Sequence, residues 1–356
     1  MSIEVSHKIT IEKTKNSKIN QVDFNNLPFG QVFTDHMLVC EYENGKWSSP
    51  KIVPYRSLSL DPSAKIFHYG QSIFEGMKAY KDEQGSIWLF RPHDNQKRLN
   101  ISAKRLAMPE LPEAYFMEGL EALLILEKDW IPTTKDSSMY IRPFMFASGN
   151  GFHASPSDKY TFIIACSPSG PYFGGELKVL IEQQYSRSAN GGVGFAKAGG
   201  NYAGQFYPTN LAIKKGYQQV IWTDDTTHEN IEEAGAMNIF VRINDTLVTA
   251  PTSDRILDGI TRKSIIEIAK DQGIPVEVRN ISVHEIVEAS ENGSLKEMFG
   301  AGTAAVISPI AGFGYKDKDF SLPKLEQSYA ATLKKQITDI QYNRSADKYG
   351  WRHAVK

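Results

Sequence analysis

Phe195-Ala196-Lys197-Ala198-Gly199-Gly200-Asn201-Tyr202 sets one lysine among small apolar residues and glycines. A lysine in such surroundings loses hydration, which disfavours its ammonium form. The neutral amine is the nucleophile that Schiff-base chemistry requires. The neighbouring glycines leave room for a ligand to lie against the backbone. Most lysines are solvated, so the same spacing also describes an ordinary loop lysine. The rest of the chain has to decide between the two.

The chain has 356 residues, enough for two domains that each bury a core. With 41% hydrophobic and 23% charged residues, the composition is that of a globular protein. The 40 basic and 41 acidic side chains leave a formal charge of -1. Charge therefore offers no reason to expect nucleic acid or an anionic membrane as a partner. Cys40 and Cys166 are the only cysteines, each beside apolar residues. A disulfide framework is not expected, and a reducing compartment is the default. Met1 to Asn20 mixes Lys, Glu and Ser without an apolar centre, unlike a signal peptide. No apolar run is long enough to span a bilayer. The sequence reads as soluble and cytoplasmic.

There is no internal repeat. In the first half, Val32 to Glu43, Ile87 to Phe90, Met139 to Phe146 and Tyr160 to Cys166 read as strands. Helices are expected from about Asp94 to Met108 and from Pro112 to Trp130-Ile131, each stopped by a proline. Ser167-Pro-Ser-Gly-Pro-Tyr-Phe-Gly-Gly175 holds two prolines and three glycines and reads as a stiff crossover. It divides the chain into a smaller N-terminal α/β domain at 1–168, a linker at 169–176 and a larger C-terminal domain at 177–356. In that second part Leu177 to Gln184 and Gln219 to Thr223 read as strands, with a helix before Gly216. Met237 to Ile243 and Thr246 to Ala250 form a hairpin about Asn244-Asp245. Ser264 to Asp271 is helical with Gly273 after it, Ala304 to Ile310 is a buried strand, and Leu325 to Ile340 is a closing helix. The fold class is α+β with mixed sheets.

Four further features suit a phosphorylated, ring-bearing ligand. Glu233, in Glu-Glu-Ala-Gly-Ala-Met-Asn before an apolar strand, can pair with a ring nitrogen and keep it protonated; an exposed acidic turn is the alternative. Gly259-Ile260-Thr261 opens a helix whose N–H groups and dipole can hold a phosphate; N-capping by Thr261 would look the same. Gly300-Ala-Gly-Thr-Ala304, placed between a helix and a strand, can also offer N–H groups; a plain turn is the alternative. Arg98 suits a phosphate dianion, but Lys104 and Arg105 close by allow a solvated basic face.

Phe33-Thr-Asp-His-Met37, His68-Tyr-Gly-Gln-Ser-Ile-Phe-Glu-Gly-Met-Lys-Ala79, Tyr140-Ile-Arg-Pro143, Lys197-Ala-Gly-Gly-Asn-Tyr202, Glu233-Ala-Gly-Ala-Met-Asn238, Gly259-Ile-Thr-Arg262 and Gly300-Ala-Gly-Thr-Ala304 occur in this order. Together they resemble the branched-chain amino-acid aminotransferases, fold-type IV enzymes that use pyridoxal 5'-phosphate (PLP). The resemblance covers nearly the whole chain. It implies transfer of the amino group of leucine, isoleucine or valine to 2-oxoglutarate by a homodimer. Its partners are then small amino acids and 2-oxo acids, with no metal.

By resemblance, Lys197 is the aldimine lysine and moves the proton between Cα and C4′. Glu233 is the partner of the pyridinium nitrogen, and Tyr202 of the phenolic oxygen. Arg98 binds the phosphate, completed by Ile260, Thr261 and Thr303. Leu257 packs on the ring face. Phe29, Tyr69, Phe74 and Tyr140 wall the side-chain pocket. The N–H groups of Thr303 and Ala304 take the α-carboxylate, and Arg142 takes the distal carboxylate of glutamate or 2-oxoglutarate. Two departures stand out. Ala305 and Ser308 replace the Cys-x-x-Cys pair that some members carry, which excludes a thiol switch there. Ala236 replaces a threonine common in relatives, removing one side-chain contact to the cofactor. The nearest rivals, a D-amino-acid transaminase or an aminodeoxychorismate lyase, fit the Tyr140-x-Arg142 pair and the N-terminal signature less well. A catalytically idle PLP-binding protein would have lost Lys197 or Glu233, and both are present.

Overall fold

The computed structural model describes residues 9–170 and 177–356. It divides into one unit of Met1–Tyr172 with Ile340–Lys356 and a second of Phe173–Asp339.

The first unit is a ten-stranded sheet, antiparallel except for one edge pair. Its centre is β1 (His36–Glu43), β2 (Ser138–Ala147) and β3 (Tyr160–Ser169), in the spatial order β1-β3-β2. The two long strands are buried along nearly their whole length. Their near-continuous apolar runs follow from cover on both faces. The helices α1 (Pro92–Arg105) and α2 (Glu113–Leu126) belong to the same unit. Phe116, Leu120, Leu123 and Leu124 recur at helical spacing on α2 and join a core with Leu38, Phe162 and Ile164. Gly119 faces Leu38 so closely that an added Cβ would lie 2.8 Å from its Cδ1.

α1 ends three residues short of the expected Met108. Ala107 takes φ +53°, and its N–H and that of Met108 turn back to the carbonyls of Lys104 and Ala103. The proposed linker also begins too early. Ser167, Pro168 and Ser169 complete β3 and lie opposite Tyr140, Met139 and Ser138. Pro168 breaks no strand there; it removes a single ladder donor. The remainder of the linker, 171–176, lies outside the described residues.

The C-terminal domain expected at 177–356 gives up its end. Arg352–Ala354 pairs with the edge strand Ile87–Phe90 of the first unit. Covering an open edge satisfies a row of backbone groups, and so short a strand carries no sequence signal. The first unit is consequently the longer of the two, not the smaller.

The second unit is a nine-stranded mixed sheet. Within it β4 (Ile231–Ala234) pairs with both Gln219–Thr223 and β5 (Met237–Ile243). That double pairing closes six strands on themselves, which leaves no open edge among them. Leu177–Ile181 stops three residues before the expected Gln184. Glu182 Oε1 accepts from the N–H groups of Gln183, Gln184 and Tyr185 and turns the chain out of the ladder. The hairpin about Asn244-Asp245 is present, with Asn244 at φ +51°. The closing helix Tyr329–Gln341 starts four residues later than expected. Ser328 Oγ accepts from the Ala331 N–H and sets that start.

The helix α3 (Ile260–Asp271) precedes the hairpin of β6 (Leu295–Gly302) and β7 (Val306–Tyr315). Gly300–Ala304 therefore runs from one strand into a strand-to-strand turn, not from a helix into a strand. Among the described residues no helix is long and apolar enough to cross a membrane.

Candidate active site

In the second unit Lys197 follows the buried Ala196 and precedes the buried Ala198. Its Nζ donates to the Tyr202 hydroxyl at 2.8 Å and lies 4.9 Å from the centre of that ring. The lysine segment is tied to the loop before Leu257. Phe195 N donates to Asp254 O at 3.1 Å. Arg187 Nη1 donates to Gly194 O at 3.2 Å and Arg255 O at 2.7 Å. Gly194 lies against the Arg255 backbone, where a Cβ would come within 2.5 Å of the carbonyl carbon. Only glycine permits that approach.

Glu233 sits on β4 and is 2% exposed. Its Oε1 accepts from Leu257 N at 2.9 Å and Asn238 Nδ2 at 3.2 Å. Its Oε2 forms an ion pair with Arg187 Nε at 2.7 Å. Burial pushes this carboxyl up to about 6, against the opposing pull of Arg187, the Leu257 N–H and Lys197. Glu232 is buried as well and pairs with Arg255 Nε at 2.5 Å. The exposed acidic turn is thereby ruled out.

Strand register gathers the other groups. Glu233 lies opposite Asn238, and Asn238 lies opposite Ala301. One row across three strands thus runs from the carboxylate to the turn that holds Thr303 and Ala304. Asn238 Nδ2 also donates to Leu257 O at 2.8 Å, and Gly259 packs directly on Asn238 Oδ1 with no space for a Cβ. This seats the N-terminus of α3 beside the same row. Gly259 is the N-cap and supplies no side chain to the first-turn N–H groups. Thr261 is inside the helix, so it is not the cap. An uncapped first turn offers donors and a favourable dipole to an anion.

The first unit holds the remaining candidates. Tyr140 and Arg142 project from β2, and Arg142 Nη2 donates to the Tyr140 hydroxyl at 2.8 Å. The guanidinium stands 4.8 Å from the Phe74 ring and 5.2 Å from that of Tyr140. Phe29 meets Tyr140 edge-on, with centroids 4.8 Å apart. Gly76 lies beneath the Tyr140 hydroxyl, where any Cβ would collide. A cavity of about 490 Å³ opens here, lined by Phe29, Phe33, Tyr55, Arg56, Tyr140 and Arg142 among others. Phe74 and Tyr69 are not in its lining: Phe74 stands behind the Arg142 guanidinium, and Tyr69 ends the short helix Lys65–Tyr69, is exposed, and donates to Phe152 O. Arg98 is buried on α1, with Nε and Nη2 donating to Glu75 Oε1 and Oε2 at 2.7 and 2.8 Å. The solvated basic face describes Lys104 and Arg105, which are exposed, and not Arg98.

Sequence reasoning missed Arg187, Asn238, Glu75 and Arg56. Asn238 and Glu75 stood inside quoted motifs, which was their only signal. Arg187 and Arg56 carry none, because their partners or neighbours lie far away in sequence.

The donor set fits PLP. One unit holds a primary amine beside a phenol, a buried carboxylate whose strand row leads to a hairpin turn, and an uncapped helix N-terminus seated on that row through Asn238. Residues 72–313 match the model of the amino-transferase class IV family. A probable branched-chain-amino-acid aminotransferase of Staphylococcus epidermidis is 44% identical over 99% of both chains. The branched-chain-amino-acid transaminase 1 of Bacillus subtilis is also 44% identical, covering 92% of this chain and 94% of its own. The crystal structure of the Escherichia coli branched-chain amino acid aminotransferase superposes with a TM-score of 0.75 at 27% identity, over 90% of this chain and 99% of that one. A T.th. branched-chain amino acid aminotransferase, complexed with N-(5'-phosphopyridoxyl)-L-glutamate, superposes with a TM-score of 0.71 at 25% identity, over 89% and 98%. This chain belongs to the class IV aminotransferases, among the branched-chain-amino-acid aminotransferases.

Proposed function

We propose that the protein moves the amino group of L-leucine, L-isoleucine or L-valine to 2-oxoglutarate, yielding the branched 2-oxo acid and L-glutamate, with PLP bound at Lys197. The observation that carries this reading is Lys197 Nζ on the Tyr202 hydroxyl, in the unit that buries Glu233 between Arg187 and the Leu257 N–H. When bound, PLP supplies an electron-poor ring that stabilises negative charge arising at the substrate Cα.

The chain's own groups do the rest. Lys197 Nζ would be the attachment point for PLP and, as a free amine, would take and return the proton at the substrate Cα. Glu233, as carboxylate, takes the hydrogen bond of the ring nitrogen and holds it protonated. Arg187 keeps that carboxylate in place. Tyr202 orients the phenolic oxygen, and Leu257 packs on the ring. The N–H groups of Ile260 and Thr261, with Thr303 and Arg98, hold the phosphate. The N–H groups of Thr303 and Ala304 hold the α-carboxylate.

Phe29 and Tyr140 serve as the apolar wall for a branched side chain, with Phe74 backing Arg142; Tyr69 is proposed to join the wall on substrate binding. Arg142 receives the distal carboxylate of the dicarboxylic substrate. Tyr140 and Phe74 hold the guanidinium in one place, so one cavity serves both substrate types. The proposed enzyme is a homodimer, as the family resemblance implies, and cytoplasmic, as its cysteine usage suggests.

Borohydride reduction of the yellow holoenzyme should fix the cofactor on the peptide that contains Lys197. Labelling of another lysine would overturn the assignment. A panel of leucine, isoleucine, valine, D-alanine and an aromatic amino acid tests the substrate class. Preference for D-alanine would point to the D-amino-acid transaminase, and no transfer from any member of the panel would point to the lyase.

A further inference from the structure

Three arginines are buried among the described residues: Arg98, Arg187 and Arg262. Two of them answer a carboxylate, Glu75 for Arg98 and Glu233 for Arg187. Arg262 does not. Its Nη2 donates to the Ala250 carbonyl at 2.8 Å, and its Nε is buried without an acceptor. The nearest acid in sequence, Asp258, is half-exposed and pairs with Lys263 at 2.7 Å. A buried cation with one neutral acceptor is costly, because its desolvation has no opposing charge.

The position makes the cost larger. Arg262 is the third residue of α3, and the first turn of that helix contains no acid. The positive end of the helix dipole disfavours a cation there. Arg262 follows one turn after Gly259, the residue that seats the helix on Asn238 and has no room for a Cβ between Asn238 and Arg262. Burial pulls the guanidinium below the usual arginine range, and Asp258 and Glu233 oppose that pull from a distance.

A dianion at the mouth of the same helix would balance all of this. It would face the dipole, and Arg262 would act through the first turn as its counter-charge. We propose that Arg262 is a positioning residue for the cofactor's phosphate: it does not touch the phosphate, but it holds a positive charge behind the N–H groups that do. The inference rests on the PLP reading above, and it assigns to Arg262 a share of affinity that belongs to the phosphate and not to the ring.

The test compares PLP with pyridoxal, which lacks the phosphate. Both are titrated into full-length protein freed of cofactor, followed by the visible absorbance of the bound ligand. For Arg262→Gln, PLP affinity should fall about ten-fold, while pyridoxal affinity stays within about two-fold. Arg262→Lys should recover most of the loss. Without cofactor, Arg262→Gln should melt no lower than wild type, since an unbalanced charge has gone; with PLP it should melt lower. Equal loss for PLP and pyridoxal, or no loss for either, would overturn the inference and leave the PLP reading intact. A lower melting temperature of the cofactor-free variant would overturn it too, by showing that Arg262 serves the fold itself. Failure of the wild type to bind PLP at Lys197 would overturn both.

Discussion

In the C-terminal unit the working groups are polar, buried and held by one another. Glu233 has three donors or cations around it, and Arg187 ties together the carboxylate, the lysine segment and the loop before Leu257. In the N-terminal unit the cavity is walled mainly by aromatic and aliphatic side chains, with Arg56 and Arg142 among them, and Arg142 is steadied by Tyr140 and Phe74 instead of a carboxylate. An arginine that rests on rings without a carboxylate partner keeps its charge available for a substrate carboxylate. Under the proposed function the first region carries the chemistry, and the second reads the substrate by shape and through Arg142.

Lys197→Ala strikes the first region hardest. Turnover should fall by at least about 10³-fold, since attachment and proton transfer both depend on the same amine. Borohydride should then leave no label on this peptide. Retention of more than a tenth of the activity would remove the lysine from the mechanism.

Glu233→Gln should cost about 10²-fold in kcat for every substrate alike, because the ring nitrogen is common to both half-reactions. The pH dependence gives an independent reading in the cofactor-free protein. The folded-state pKa of Glu233 is raised to about 6, above the ordinary carboxylate value. Its protonation therefore stabilises the fold fully below about pH 4.5, and that contribution is lost as pH rises through about 6. Wild type should lose about 2 kcal/mol relative to Glu233→Gln across this window, measured by urea unfolding. A flat difference would mean that the carboxylate is less isolated than its burial indicates.

Arg142→Ala tests the contrast from the other side. Its kcat/KM for 2-oxoglutarate should fall about 10- to 100-fold. That for leucine should change less than about three-fold. Equal losses would show that Arg142 supports the wall through Tyr140 and does not read the distal carboxylate.

Much of this arrangement was legible in the sequence alone. Lys197, Tyr202 and Glu233 stood out as residue types in an ordered set of motifs, and the structure sets Lys197 on Tyr202 and buries Glu233. Gln219–Thr223 and the Asn244-Asp245 hairpin were visible because periodicity and turn residues agree there. What escaped was whatever depends on contacts distant in sequence. Arg187 reaches Arg255 and Glu233 across tens of residues, and nothing in Tyr185-Ser-Arg-Ser announces it. The return of Arg352–Ala354 to an edge strand, and the strand character of Ser167-Pro168-Ser169, follow from pairing and not from composition. Proline and serine there match a linker as well as a strand end. The helix-to-strand placing of Gly300–Ala304 failed because Leu295–Gly302 becomes a strand through its partners β5 and β7.

The smallest expected effect concerns the cavity wall. Cys166 lines the cavity and Cys40 lies in the core, and burial pushes both thiols up, Cys40 to about 12. The thiolate is the reactive form, so both sulfurs are inert apolar packing near neutral pH. The positions where some relatives carry a redox pair hold Ala305 and Ser308 instead. Iodoacetamide should leave the folded enzyme unlabelled, and Cys166→Ala should change kcat/KM for leucine by less than about two-fold, since the sulfur contributes little besides volume. Labelling of Cys166 with loss of leucine turnover, while Lys197 stays reducible by borohydride, would show that the wall opens to solvent. Selection by shape would then be the softer half of the comparison, and the charge-held C-terminal cradle the rigid one.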